Sequence, residues 1–230
     1  MQPYIARATV GGNMPDDALK PALRAALRFN EIGNASPYTI SFAGKANSGG
    51  SFGFMQGDLA AHQTVVTKTF HDALVAAGVP GDKIQSLLQL LSVHCPTNPL
   101  TPQDTALVDN ALLASRALVD QMDEAILQGV YGNLDRCSNT AESADRAIEP
   151  VALIYMALWI NMAGPPTSLL RWLSGQDPGL SRPIPPAGNA VDEAAMQTYL
   201  QATAYFTANP HNFPHLVESA ETGAELLPTS

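Results

Sequence analysis

Leu23, Leu27 and Glu31 recur at i, i+4 and i+8, the spacing that puts three side chains on one helical stripe. A carboxyl group on a stripe that faces a core is drawn out of water. Its protonated form is then favoured, and it can donate a proton near neutral pH. A glycosidic oxygen needs such a proton before it can leave. The alternative for the same residue is a helix-end glutamate turned to solvent as the last turn frays. Gln56 follows 25 residues later, at the end of Gly50-Ser51-Phe52-Gly53-Phe54-Met55-Gln56. Glycines let backbone approach a sugar ring, and a glutamine offers donor and acceptor to hydroxyl and acetamido groups. Asp58 is the nearest second carboxylate. Retaining glycosidases hold two carboxyl groups about 5–5.5 Å apart and inverting ones about 6.5–9.5 Å apart, so a partner acid would decide the mechanism. An aspartate directly before Leu59-Ala60-Ala61 is equally a helix N-cap.

Other constellations carry less. His211 and His215 are four apart, but Pro214 interrupts the helix they would share and no third ligand follows, so no metal site is expected. His62 and His71 read as surface or partly buried positions. Cys95 follows His94, yet adjacent residues rarely point at each other, which argues against a thiol nucleophile. Cys95 and Cys137 allow at most one internal disulfide, and the count leaves that pairing open. No phosphate-binding or dinucleotide fingerprint is present, so no cofactor is expected.

The elements that must position these residues follow from periodicity and punctuation. Asp16 or Asp17 caps a first helix that ends at Gly33. Tyr38, Ile40 and Phe42 alternate with Thr39, Ser41 and Ala43 before the turn Asn47-Ser48-Gly49-Gly50, which predicts a short hairpin. Asp58 introduces a second helix to about Ala77 and Asp82 a third to about His94. Thr101-Pro102-Gln103-Asp104 starts a fourth that runs on to Gln128. A polar segment with Gly132, Asn133 and Asn139 separates it from an apolar central helix over Val151–Ile160. Leu169–Leu173 forms a short helix, and Gly175–Gly188, with its prolines, forms a loop suited to lie over a cleft. A last helix runs from Val191 to about Ala208, before a loosely patterned tail. The expectation is an α+β chain, mostly α, with about seven helices around one short β-hairpin and residues 1–230 in a single domain.

A helix-end glutamate, then a hairpin, then Gly50-Ser51-Phe52-Gly53-Phe54-Met55-Gln56 resembles the lysozyme-like superfamily, the lytic transglycosylases and goose-type lysozymes in particular, where the segment is of the Gly-x-Gly-Leu-Met-Gln type and Phe54 stands in the place of the leucine. Trp159-Ile160-Asn161-Met162-Ala163-Gly164-Pro165, followed by Leu170-Arg171-Trp172-Leu173, resembles that family's Ala-Tyr-Asn-Ala-Gly-Pro segment and the helix after it. The family tyrosine is missing there, and Tyr155, Tyr199 or Tyr205 is the substitute. Asn47 lies nine residues before Gln56, where goose-type enzymes carry an aspartate and many transglycosylases a serine. The resemblance implies a lysozyme-like catalytic domain that cleaves β-1,4 bonds in peptidoglycan, by transglycosylation or as a muramidase, at a secreted or periplasmic site. It implies Glu31 as general acid, Asp58 as its candidate partner, and substrate contacts from Asn47, Ser48, Ser51, Gln56, Tyr155 and Asn161. A catalytically inactive binding or structural module of the same fold is the non-enzyme alternative.

Composition narrows the partners. The 230 residues include 12 basic and 21 acidic side chains, a formal charge of −9, with only 14% charged and 46% apolar residues. Nucleic-acid binding rests on clustered Lys and Arg, and no basic run exists. So much apolar material argues against disorder. The longest apolar stretch, ten residues, is half the roughly 20 that span a bilayer. The N-terminal residues show no signal peptide pattern. The partner that the resemblance implies is peptidoglycan or a related amino-sugar polymer. The negative charge would draw a cationic glucosamine polymer better than an anionic wall, which keeps a chitosanase-like hydrolase as a second enzyme reading.

Overall fold

The computed structural model describes residues 18–44 and 47–228. In chain order these form α1 (Lys20–Ile32), β1 (Ser41–Phe42), β2 (Gly50–Phe52), β3 (Gly57–Asp58), a 3-10 turn (Leu59–Ala61), α2 (Thr64–Ala76), α3 (Gly81–Leu91), α4 (Pro102–Ala114) and α5 (Arg116–Ser143). There follow β4 (Ala147–Ile148), α6 (Pro150–Ala163), α7 (Thr167–Leu173), β5 (Ala190–Val191), α8 (Glu193–Gln201), α9 (Ala204–Ala208), a second 3-10 turn (Pro210–Asn212) and α10 (Phe213–Ala224). The protein is α+β and mostly α, as the periodicity predicts. No helix among the described residues is long and apolar enough to cross a membrane. The described residues divide into two compact units, one spanning Glu31–Gln128 and one joining the chain up to Asn30 with Gly129 onward.

In the unit Glu31–Gln128, the three strands form one antiparallel sheet in the order β1-β2-β3, with Ser41 opposite Ser51, Ser51 opposite Asp58 and Phe52 opposite Gly57. The predicted hairpin thus gains a third strand, and Asp58 ends that strand rather than opening α2. Phe52 is fully buried and its ring lies 5.9 Å from that of Phe70 on α2. Around this pair, Leu59, Val66, Ile84, Leu91, Val108 and Met122 close one apolar core. The sheet is therefore anchored by what lies beneath it, because strands of two or three residues cannot stand alone in water.

In the other unit, α6 packs against α8 and α10. It is apolar on all sides, with Ala152, Ile154–Leu158 and Ile160 buried, as befits a central helix. Pro150 stands in its first turn and Gly164, at φ +78°, follows its end, the proline-in, glycine-out asymmetry of helix termini. β4 and β5 form a two-residue parallel pair. Arg146 donates to Ala187 O at 2.9 Å and Leu173 O at 2.7 Å, and Trp172 Nε1 donates to Pro185 O at 3.0 Å. These bonds hold the proline-rich segment, which is a loop as predicted. His215 is committed here as well. Its Nε2 lies 3.1 Å from Asn30 O and its ring 5.8 Å from that of Phe29, so it is a packing residue of α10.

The helices beyond the expected seven come from a break at Ser115, a division at Thr203 and a helix in the tail. The predicted fourth helix is broken at Ser115, where α4 ends and α5 begins one residue later. Val119 and Met122 on α5 continue the buried spacing of Val108 and Leu112 on α4. α5 then continues through the polar segment that was predicted to end it, where Asn133, Thr140 and Ser143 each bond a carbonyl four residues back. The predicted last helix divides at Thr203, which caps α9, and the tail forms α10. Asp16 and Asp17 lie outside the described residues. Cys95 and Cys137 are both buried free thiols. Burial raises the Cys95 thiol, with Asp58 adding to the effect, and pushes Cys137 up to about 12 against the opposing charge of Arg136.

Candidate active site

Glu31 is the last residue but one of α1, where Leu23 and Leu27 are fully buried and Glu31 itself is half-buried. It belongs to the same compact unit as the sheet. The stripe reaches it, but the helix end leaves it in partial contact with solvent.

The Gly53–Gln56 turn joins β2 to β3 and is the most constrained segment of the sheet. Gly53 has φ +78°, and a Cβ there would stand 2.4 Å from Asp123 Oδ1. Only glycine fits, because the turn lies directly on that carboxylate. Asp123, on α5, is fully buried and accepts from Phe54 N at 2.9 Å and from Met55 N at 3.0 Å. Gln56 has φ +50°, a left-handed conformation that costs a non-glycine residue roughly 1–2 kcal/mol. Its side chain is fixed at both ends. Nε2 donates to Gly53 O at 3.0 Å, and Oε1 accepts from Ser41 Oγ at 2.8 Å. Each end uses one of two bonding positions, so the amide keeps a donor and an acceptor for a ligand.

Two further aspartates brace the approach to the sheet. Asp109 Oδ1 accepts from Ile40 N at 2.8 Å and Asp120 Oδ1 from Tyr38 OH at 3.0 Å. The chain before β1 and the turn after β2 are thus held by carboxylates from α4 and α5, reached across 68 to 82 residues of sequence. Sequence reasoning missed all three. A signal for Asp123 did exist: it falls beside Met122 and four before Leu127 on the buried side of α5, the same stripe criterion that singled out Glu31.

The other predicted site residues are placed as follows. Ser51 is buried in β2, 4% exposed, with its carbonyl 3.2 Å from Ser41 Oγ. Ser48 is half-buried and its carbonyl accepts from Cys95 N at 2.8 Å, while Asn47 is exposed. Asp58 Oδ1 accepts from Ala60 N at 2.8 Å and Gly49 N at 3.0 Å. It performs the capping role, on a 3-10 turn, and ties the hairpin to it. Tyr155 and Asn161 belong to α6 in the other unit. The Tyr155 hydroxyl is buried, donates to Glu193 Oε1 at 2.9 Å and accepts from Gln197 Nε2 at 2.9 Å. Desolvation raises its pKa, so it is a neutral lock between α6 and α8 rather than an acid. Asn161 is half-buried on α6. No group of three metal-ligating side chains occurs among the described residues.

Compared with protein-family models, curated proteins and solved structures, the chain matches none. The functional reading therefore rests on the residues.

Proposed function

We propose that this protein cleaves β-1,4 glycosidic bonds of peptidoglycan with Glu31 as the general acid. The observation that carries the reading is the Gln56 turn. A left-handed glutamine closes the turn between β2 and β3, at a conformational cost that glycine would not carry, and its side chain is locked by Ser41 and Gly53. Strain of this kind gathers at binding sites. Here it aims an amide with a spare donor and acceptor, in the same compact unit as a half-buried helix-end glutamate.

The bonds made by Asp58 favour the transglycosylase route over hydrolysis. A carboxylate whose Oδ1 braces two backbone amides serves as a support rather than as a nucleophile. One acid then has to suffice. Glu31 protonates the glycosidic oxygen as the C1–O bond breaks, and the substrate's acetamido oxygen bonds to C1. The Glu31 carboxylate next takes the proton of the C6 hydroxyl, whose oxygen displaces the acetamido group and closes a 1,6-anhydro ring. Such a substrate places the site of action in the periplasm or outside the cell. The chain's charge of −9 favours a second reading, a chitosanase-like hydrolase acting on a cationic glucosamine polymer.

Digestion of purified murein and of chitosan, with mass spectrometry of the products, tests the reading. Anhydro ends support transglycosylation and reducing ends a muramidase. Release from chitosan alone moves the assignment to the second reading. Glu31→Gln is expected to lower the rate by about 10²–10⁴. Intact murein, or murein cut equally well by Glu31→Gln, refutes the proposal.

A further inference from the structure

The unit that contains α6 has a concavity of about 310 Å³ between the C-terminal end of that helix, the start of α7, the Gly179–Ser181 stretch of the proline-rich loop and the start of α9. Its volume lies at the lower end of the roughly 300–1,000 Å³ typical of small-molecule sites. None of the thirteen residues lining it carries a charge. An anionic or cationic ligand would therefore find no partner there, while a neutral one would meet no buried charge that has lost its water.

What the lining does offer is aromatic faces and neutral hydrogen-bonding groups. The rings of Trp159 and Tyr205 stand 6.5 Å apart, and both rest on the buried ring of Phe206, at 6.0 and 5.0 Å. Both are therefore held in place without a ligand. Asn212 Nδ2 donates to the Tyr205 hydroxyl at 2.9 Å, which leaves that hydroxyl's own proton for another acceptor. Among the described residues, the Trp159 indole N–H and the hydroxyls of Thr167, Ser168 and Ser181 make no hydrogen bond. Trp172 shows the contrast: its indole N–H is spent on Pro185 O and its ring is buried. Apolar ring faces ringed by uncommitted hydroxyl and N–H groups, with no charge, match one ligand chemistry closely. A pyranose ring presents a C–H face to stack on an aromatic ring and a rim of neutral hydroxyls to bond.

We propose that this concavity binds a neutral segment of a glycan chain, with Trp159 as the stacking platform and Ser168 and Ser181 as hydroxyl partners. The site belongs to α6, α7, the loop and α9 and uses neither Glu31 nor Gln56. It goes beyond the proposed cleavage and does not depend on it.

The test is titration of the full chain with the β-1,4 hexamer of N-acetylglucosamine, the β-1,4 hexamer of glucose and a proline-rich decapeptide, read by tryptophan fluorescence and calorimetry. Trp172 is buried and bonded, so a fluorescence change reports Trp159. Saturable binding of either sugar hexamer is expected, and binding of the acetylated one alone ties the site to amino-sugar chains. Trp159→Ala weakens binding by at least about tenfold, the loss typical of an aromatic anchor. Ser181→Arg does the same by filling the concavity from an exposed position that makes no bonds, so it keeps the test independent of folding. Glu31→Gln binds as the unmodified chain does. Failure of both hexamers to saturate, binding unchanged in Ser181→Arg, or binding of the peptide alone overturns the inference. Intact sugar binding alongside uncut murein and chitosan overturns the proposed cleavage and leaves this site standing.

Discussion

Replacing Asp123 tests whether the Gly53–Gln56 turn is held from below. Its carboxylate is fully buried and receives two consecutive backbone N–H groups at 2.9 and 3.0 Å. In Asp123→Ala both amides lose their acceptor, at about 1–3 kcal/mol for each buried donor left unmade. The expected loss is therefore about 2–6 kcal/mol. Asp123→Asn keeps the shape but presents an NH2 group toward one of the two amides, so one bond survives and the loss is about 1–3 kcal/mol. The pairing with Gly53 sharpens the test. Gly53→Ala drives a Cβ to 2.4 Å from Asp123 Oδ1, and that clash disappears once the carboxylate is gone. The left-handed backbone penalty of about 1–2 kcal/mol remains in either background. A double-mutant cycle by urea unfolding is thus expected to show coupling of about 0.5–3 kcal/mol. Hydrogen exchange of the Phe54 and Met55 amides should accelerate in Asp123→Asn ahead of amides in α2 and α3. Additive single losses, or unchanged exchange at those two amides, would refute the reasoning.

Three further expectations can be checked by simpler means. A Cβ at Gly223 on α10 would stand 2.6 Å from Ala22 O and 2.8 Å from Ala26 Cβ on α1. Gly223→Ala should therefore cost about 1–3 kcal/mol from overpacking despite the helix preference of alanine, and a higher Tm would count against the contact. Tyr199 OH is buried without a hydrogen-bond partner. Removing the hydroxyl in Tyr199→Phe should leave stability unchanged or raise it by up to about 2 kcal/mol, whereas a clear drop in the denaturation midpoint would mean the hydroxyl is satisfied. Burial raises the Cys137 thiol from 9.0 to about 12, so its contribution is complete below pH 9 and is lost as pH climbs from there toward 12. The native protein should resist a thiol reagent at pH 8 and react once denatured, and Cys137→Ala should flatten the alkaline decline; rapid labelling of the native state would contradict this.

Local pattern carried much of the fold. The stripe Leu23, Leu27 is fully buried on α1, Thr101 Oγ1 caps α4 through Asp104 N at 3.1 Å, and the apolar run in α6 is buried between its proline start and glycine end. Each of these is decided within a few residues, because helix periodicity and end capping are short-range properties. The break at Ser115 was less legible, since no proline or glycine marks it and the buried positions Val108, Leu112, Val119 and Met122 keep one helical spacing across it. The continuation of α5 to Ser143 ran against the composition of its polar segment. Asn, Thr and Ser there turn their hydrogen bonds back onto the helix instead of ending it.

The candidate site divides along the same line. The sequence by itself determined that a glutamate closes the first helix in line with Leu23 and Leu27 and that a glycine-glutamine segment follows it. It also determined that the chain is mostly helical, acidic and poor in charge. Only the tertiary structure decided which carboxylates support that turn: Asp123 on α5, with Asp109 and Asp120 bracing the chain before it. It likewise decided that Asp58 caps and Tyr155 locks, and that Trp159 and Tyr205 stand over an uncharged concavity. A hydrogen bond between residues 69 positions apart leaves no spacing to read. Its existence depends on which helix face the core selects, and that choice is made only when the whole unit packs.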